Sequence, residues 1–579
     1  HNVALGASAL EKATTGGTNT AVGNYSLFQN TTSAHNVAVG YAAAYSQTTG
    51  SQNVAIGKDA SRLNLTGSQN TAVGYQALEA NTVSGNTAVG HNALTANTTG
   101  TTNTAVGANS LDANTTGSNN TAVGYESLSV STTASQNTAL GQNAGRRTTT
   151  GGSNVYIGYD AGQAGTSAQN NVAIGRGAMY SNQLAERNVA IGYSALFNLA
   201  PTTVNHMYQV AIGYNAGANI TTGTNNTVVG GLALDALTTG DGNVAIGVSA
   251  LSAATTSGDN LAVGNSALKK TTIGEENVAI GNASLEENQT GYRNIAIGRY
   301  ALQKFAPTGG TYSYNVAIGH AAAGKLTSGV NNVAIGGLAL DRETTGNSNV
   351  AIGYQSLTTS LGGSNNVAVG QNTLRLTTTG DDNVAIGRAA LEQNTVGGRA
   401  TAVGYEAFLN QNPTSSSSTY NVGLGFYAGR NVTTGEDNTL IGSLTGDAIT
   451  TGGQNTNVGF AAGSNATTGS KNTFVGFNAG QAVTTGSKNV VLGSYTGSQH
   501  GLDIRTSSNH IVLSDGSGNP RVVVDSSGNT GIGTVSPARP LTVNGLIGSR
   551  NSTTGFGASD GFDIGVGGSD AYLVQRENA

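Results

Sequence analysis

The sequence predicts an all-β fold, a parallel β-solenoid (β-roll) of about 29 coils. Three observations predict it. A 17-residue period runs through residues 1–508, every period carries a glycine at one fixed phase, and the apolar residues ahead of that glycine alternate with period two rather than 3.6. Each period opens on an Asn, as at Asn2, Asn19, Asn36, Asn103, Asn120 and Asn243, with Gln209 and Ala400 as the two replacements. The step is 17 residues except for one of 16, from Asn70 to Asn86, and three of 21, at 188–208, 294–314 and 400–420.

With the Asn as position zero, the segment to +3 reads as an extended strand. Position +3 is always Val, Ile or Leu, and +2 is Ala in 22 of the 29 units. The repeat residues Asn120, Ala122, Val123 and Gly124, or Asn243, Ala245, Ile246 and Gly247, show the pattern. Side chains alternate across a strand, so +1 and +3 share one face and Ala the other. Gly at +4 ends the strand where φ is positive or where backbones pass too closely for a Cβ. The stretch from +5 to +9 is expected to form a second strand, and the Thr-Gly pair near +13 turns the chain back. Coils stacked at roughly 4.8 Å place Asn on Asn in an amide ladder, and 29 of them run to roughly 140 Å. A flexible linker has no need of an aliphatic residue at +3 in all 29 units.

Strands that are apolar on both faces are normally buried on both. The second strand of the coil is expected to cover the Val/Ile rows. The Ala row then remains as a long exposed stripe along which sister chains associate, small Ala allowing close backbone approach. Composition agrees with stacked short strands. Gly contributes 86 of 579 residues, charged residues 9%, Pro only six, and Cys and Trp none, which fits neither a disordered chain nor collagen. The net charge of −5 excludes a strongly basic, nucleic-acid-binding face, and no 18-residue apolar run marks a membrane insertion. The chain begins at His1, so the sequence reads as a piece of a longer polypeptide.

The three long coils share a phase, each with a Pro (Pro201, Pro307, Pro413) and a closing Tyr (Tyr208, Tyr314, Tyr420), both series spaced by 106 residues. A six-coil unit has been duplicated. Equally phased insertions lie on one side of a solenoid, making these six residues candidate surface-loop contacts for a receptor or partner. The alternative is loop length inherited by duplication, since long surface loops cost little. From Asn421 the +2 residues become Gly423, Leu440, Asn457, Phe474 and Val491 and +8 becomes Gly, which predicts a change in packing between chains. Residues 509–549 read as a β-rich transition with a Gly-turned strand pair, and 550–579 as the start of a further β element, truncated here.

The "NVAIGYxAL…TTGxxN" repeat resembles the head repeats of trimeric autotransporter adhesins, although those coils are shorter. That resemblance implies a β-roll and a fibrous homotrimer. "NPRVVVDSSGNTGIGTVSPARPLTVNGLIGS" (519–549) is similar to the segment of bacteriophage tail-fibre and tailspike proteins ahead of an endosialidase-type intramolecular chaperone. The chaperone itself is not visible in the sequence. Together these imply an extracellular shaft of a virion tail fibre bearing a host-receptor- or glycan-binding tip. The alternative is a bacterial cell-surface adhesin filament.

No catalytic constellation, cofactor loop or metal-ligand spacing is found. The seven His residues are scattered, and Asp241 and the Asp381-Asp382 pair sit in turns without a calcium-roll repeat. The expectation is a non-enzyme without cofactor or metal. An ice-binding solenoid is a third reading, prompted by Thr pairs at +12 and +13 (Thr115-Thr116), though Leu65-Thr66 and Gln183-Leu184 break the series.

Overall fold

The computed structural model describes residues 1–544 in full, and the backbone of the strands at 547–549, 561–567 and 570–576. The chain is a parallel β-solenoid of about thirty turns, without helices among the described residues. It divides into two compact units, His1–Ser313 and Tyr314–Ala579. Each unit stacks three-residue strands in register. In the first, Thr121–Val123 pairs in parallel with Thr138–Leu140, Ala122 lying beside Ala139. In the second, Val350–Ile352 pairs with Val367–Val369, again Ala beside Ala.

The faces of the strand are the reverse of the sequence expectation. Ala122 and Ala245 are fully buried, whereas Val123 is half-buried and Ile246 is 38% exposed. Alanine faces the inside of the coil, against the +8 residue across it, and Leu128 and Leu251 are fully buried there. Most coils pair Leu at +8 with the small Ala at +2, several bury a further large side chain at +11, as with Leu199, Leu237 and Phe305, and the residues at +1 and +3 point outward.

No second strand forms at +5 to +9. The chain there runs as a turn in which alternate residues are left-handed, Glu126 at φ 53° and Leu128 at φ 50°, followed by Gln136 at φ 64°. A non-glycine residue in that region costs roughly 1–2 kcal/mol. The conformation is held because it alternates the direction of the backbone N–H groups. Glu126 donates to Ala108 of the preceding coil (3.0 Å), Leu128 to Ala144 of the next (3.0 Å) and Val130 to Arg146 (3.0 Å). Three N–H groups on this side thus find partners one coil away, while Ser127 donates within its own coil, to Gly124 O at 3.4 Å.

Gly at +4 is required by both expected causes. Gly247 has φ 136°, and a Cβ there would lie 2.5 Å from the carbonyl oxygen of Gly264 and 2.6 Å from its carbon. The Asn ladder closes the coil. Asn137 donates its backbone N–H (3.0 Å) and its Nδ2 (3.3 Å) to Oδ1 of Asn120, while Asn120 Nδ2 reaches Ala134 O on the far side of its own coil (2.8 Å). The same set recurs at Asn243, which donates to Asn226 Oδ1 and Ser257 O. Where Ala400 interrupts the row, Gln411 reaches in and its Oε1 accepts from Asn421 Nδ2 (2.9 Å).

The change after Asn421 falls on residues inside the coils, where Leu440, Phe474 and Val491 are fully buried. A large +2 residue occupies the space that Leu leaves when +8 is Gly. Phe474 is fully buried, and a Cβ on Gly480 would lie 2.7 Å from its ring. The exchange also runs the other way. Phe408 fills +8, and the following +2 residue is Gly423, whose Cβ would lie 2.5 Å from that ring. Beyond the repeats, Ile511–Ser514 adds in parallel to Val490–Leu492, then pairs antiparallel with Pro520–Val524 through a turn pinned by Asp515 and Asn519. Of the segment expected to begin another β element, the strands Gly561–Gly567 and Asp570–Arg576 pair antiparallel, and the remainder of 550–579 lies outside the described residues.

Candidate interaction surface

Two features face outward with the regularity of the repeat. The first is the strand face. Leu140, Ile212, Ile246, Ile318, Ile386 and Leu492, all at +3, are exposed aliphatic side chains, and the +3 residues on the levels between them are half-buried or exposed. The Val and Thr residues at +1 flank them, mostly half-buried. Past the Gly corner, the +5 position continues this edge with aromatic rings. Tyr193 and Tyr214 stack at 5.3 Å, Tyr405 and Phe426 at 5.4 Å, and Phe460 and Phe477 at 5.4 Å between centroids.

The second feature is the set of long coils. Their sequences share little, yet each lays its extra residues on the preceding coil in the same way. Asn205–His206 pairs in parallel with Ala185–Glu186, Tyr312 bridges to Tyr292, and Ser418 to Gly398. Among the six candidate contact residues, the structure separates two roles. Pro201, Pro307 and Pro413 are buried, anchoring the insertions, while Tyr208, Tyr314 and Tyr420 are exposed by 50%, 48% and 53%. The other singled-out residues, Asn120, Ala122, Gly124, Asn243, Ala245 and Gly247, belong to the framework, with Val123 and Ile246 on its outer face.

Arginines that the sequence reading missed accompany these insertions. Arg187 Nη1 donates to Tyr208 Oη at 2.6 Å and stacks 5.7 Å over its ring. Arg399 does the same to Tyr420 at 3.0 Å, and hydrogen bonds from Ser418 and Arg399 pull that phenol below its ordinary pKa. Arg293 lies 4.7 Å over Tyr312 and bonds Glu276 at 2.8 Å, holding that carboxyl below the usual range. The signal was present, since the three arginines recur every 106 residues.

The turn carboxylates are spent on neighbouring coils. Asp241 accepts from the N–H and hydroxyl of Thr224, Asp381 from the N–H of Ser364, and Asp382 faces Arg399 at 3.6 Å. The buried Glu343 accepts three backbone N–H groups, from Thr344, Thr345 and Gly346, and the Ser360 hydroxyl. Among the described residues no group of three His, Cys, Asp or Glu residues is placed to hold a metal ion, and no helix is long and apolar enough to cross a membrane. No protein-family model, curated protein or solved structure matches this chain. The class of protein that the fold defines is therefore a parallel β-solenoid repeat protein, and its function is argued from the surface.

Proposed function

We propose that this chain is the shaft of an extracellular homotrimeric fibre, of the kind that a bacteriophage tail fibre uses to carry a host-binding tip. The observation that carries the reading is the outward row of aliphatic +3 residues, flanked mostly by Val or Thr at +1. The coil interior is already filled by Ala and Leu, so this row has no intramolecular cover. Monomeric proteins rarely leave a contiguous apolar patch of such extent. Its occupant has to match a spacing of roughly 4.8 Å per level over many levels. A second copy of this chain has that spacing by construction. The count of three, and the choice of phage over a bacterial adhesin, rest on the resemblances at residues 1–508 and 519–549. The Thr hydroxyls at +12 count against an ice-matched face, because they are spent inward on the next coil, as from Thr115 to Thr132 O (3.1 Å) and from Thr149 to Thr166 O (3.0 Å).

Sedimentation and light scattering test the assembly. The native chain is expected to be trimeric, and the pair Ile246→Asp with Val263→Asp, which places charge on the row, is expected to dissociate or weaken it. A native chain that stays monomeric, or a variant that assembles as well as the native, overturns the proposal. Immunogold labelling then separates the two settings, since label on virion tails supports the fibre and label on bacterial surfaces supports the adhesin.

A further inference from the structure

Position +1 of the coil is not uniform, and its variation has a pattern. It is Val in 16 of the 29 repeats and Thr in 11. The threonines gather in two runs. Thr71, Thr87, Thr104, Thr121 and Thr138 stand on successive coils of the first unit, and Thr439, Thr456 and Thr473 on successive coils of the second. Val bounds each run, at Val54 and Val155 and at Val422 and Val490. All eight side chains lie on the outward face, half-buried or exposed. None of the eight hydroxyls has a hydrogen-bond partner within the chain among the described residues.

Strand propensity does not account for these threonines. Thr and Val are both good strand formers, so propensity alone would place Thr at either outward position. Yet +3 is Val, Ile or Leu in all 29 repeats. Val89 and Val106, at +3, are each 36% exposed, while Thr87 and Thr104 on the same strands are half-buried. On these strands the position more open to solvent is the one that never carries a hydroxyl. Such a pattern belongs to a face that is covered by apolar matter along +3 and permits polar contacts along its +1 margin.

We infer that the two threonine runs are register keys that set the axial alignment of sister copies of this chain, an inference that rests on the self-association proposed above. The +3 row cannot set it. That row repeats at roughly 4.8 Å per level, so a copy displaced by one coil meets the same aliphatic surface. The long coils do not suffice either, since they recur every 106 residues and a displacement of six coils matches two of them again. The threonine runs have no such recurrence. In parallel, aligned copies each Thr hydroxyl faces its equivalent, and a hydroxyl both donates and accepts, so like satisfies like. After a slip of one coil, Thr71 of one copy faces Val54 of the other, and Val155 faces Thr138. Stranding one buried hydroxyl costs about 5- to 150-fold in the equilibrium constant. A polar residue buried in an otherwise apolar seam fixes coiled-coil register on the same ground.

Disulfide mapping in the full chain tests it, because the native sequence has no Cys. Two differently tagged chains are co-expressed and oxidised, with Ile246→Cys on both, or with Ile246→Cys on one and Ile280→Cys on the other. Both sites are +3 residues, two coils apart. That is roughly 9.6 Å along the stack, beyond the Cα separation of about 7 Å that a disulfide spans. Disulfides between 246 and 280 therefore report slipped copies. Native chains should form them at less than about a tenth of the 246–246 yield. Thr→Val at all eight positions keeps the shape of the face with the residue that most repeats already carry at +1. It should raise the 246–280 yield at least about fivefold while association persists. Thr→Ser at the same positions keeps the hydroxyls and should retain the native ratio. Circular dichroism checks that each variant folds. Native association without a preference for 246–246, or a preference that survives Thr→Val, overturns the inference and leaves the fibre reading standing. Native chains that stay monomeric overturn both.

Discussion

Replacing Asn120 by Ala removes one rung of the ladder at a site where every group involved is buried. The backbone N–H of Asn137 loses its acceptor (3.0 Å), and the carbonyl of Ala134 loses the Nδ2 donor (2.8 Å). The Nδ2 of Asn137 loses Asn120 Oδ1 but keeps Gly151 O at 3.0 Å. Two polar groups are thus stranded. Each costs about 1–3 kcal/mol when left unpaired away from water, so the rung is worth about 2–6 kcal/mol. A single global unfolding energy is a poor readout, because stability in a repeat array is local to a coil and its neighbours. Amide hydrogen exchange followed by mass spectrometry reads it directly. At 1.4 kcal/mol per factor of ten, peptides covering residues 103–140 should exchange roughly 30-fold to 10⁴-fold faster, while the Asn243 coil serves as an unchanged internal reference. Acceleration of less than about threefold at 103–140 would refute the reasoning, as would equal acceleration around Asn243, since either would show that the ladder decorates the coil without closing it.

The +2/+8 exchange predicts a strong coupling: Gly480→Leu alone should clash with Phe474, Phe474→Ala alone should leave a cavity costing about 3–5 kcal/mol, and the double variant should recover more than 1 kcal/mol of the summed loss, read by hydrogen exchange across residues 472–492. Leu at Gly480 is tolerable in backbone terms because φ there is 59°, close to the 50° of Leu128. Additive losses would refute the shared-volume account. Asp235 makes a pH prediction. Burial raises its pKa above the ordinary Asp value of 3.8, so the folded state holds its proton more tightly than the unfolded one. Stability from this group therefore declines as pH rises from 3.8 through the folded pKa, and Asp235→Asn should stabilise at pH 7 and be neutral below 3.8. Asp525 is the opposite case, its pKa lowered by bonds from the Asn529 side chain and backbone, so Asp525→Asn should destabilise at pH 7 and lose its effect as pH falls through the lowered value. Hydrogen exchange across residues 226–250 and 509–532, compared at pH 7 and below 3.8, checks both signs.

How much was legible in the sequence can be argued from single positions. Gly247 announced itself, because a residue that is Gly in all 29 units at one phase can only be a backbone requirement. Asn120 did so for a related reason, since one amide repeated at the stacking period has itself as neighbour. The insertions were placed correctly by phase, but their pairing was not, since parallel bridges such as Asn205–His206 on Ala185–Glu186 depend on backbone position and leave no side-chain pattern.

The sequence by itself determined the period, the strand, the glycine corner and the ladder, because stacking identical coils at one spacing forces each position to satisfy itself. Only the tertiary structure decided which strand face lies inside. Ala122 and Val123 are both apolar, so alternation distinguishes two faces without ranking them. The choice is made by what crosses the coil from the opposite side, where Leu128 is fully buried and the small Ala122 fits beside it. The left-handed backbone at Glu126 and Leu128 was likewise hidden, because it is imposed by hydrogen bonds to the coils on either side and by nothing in those side chains.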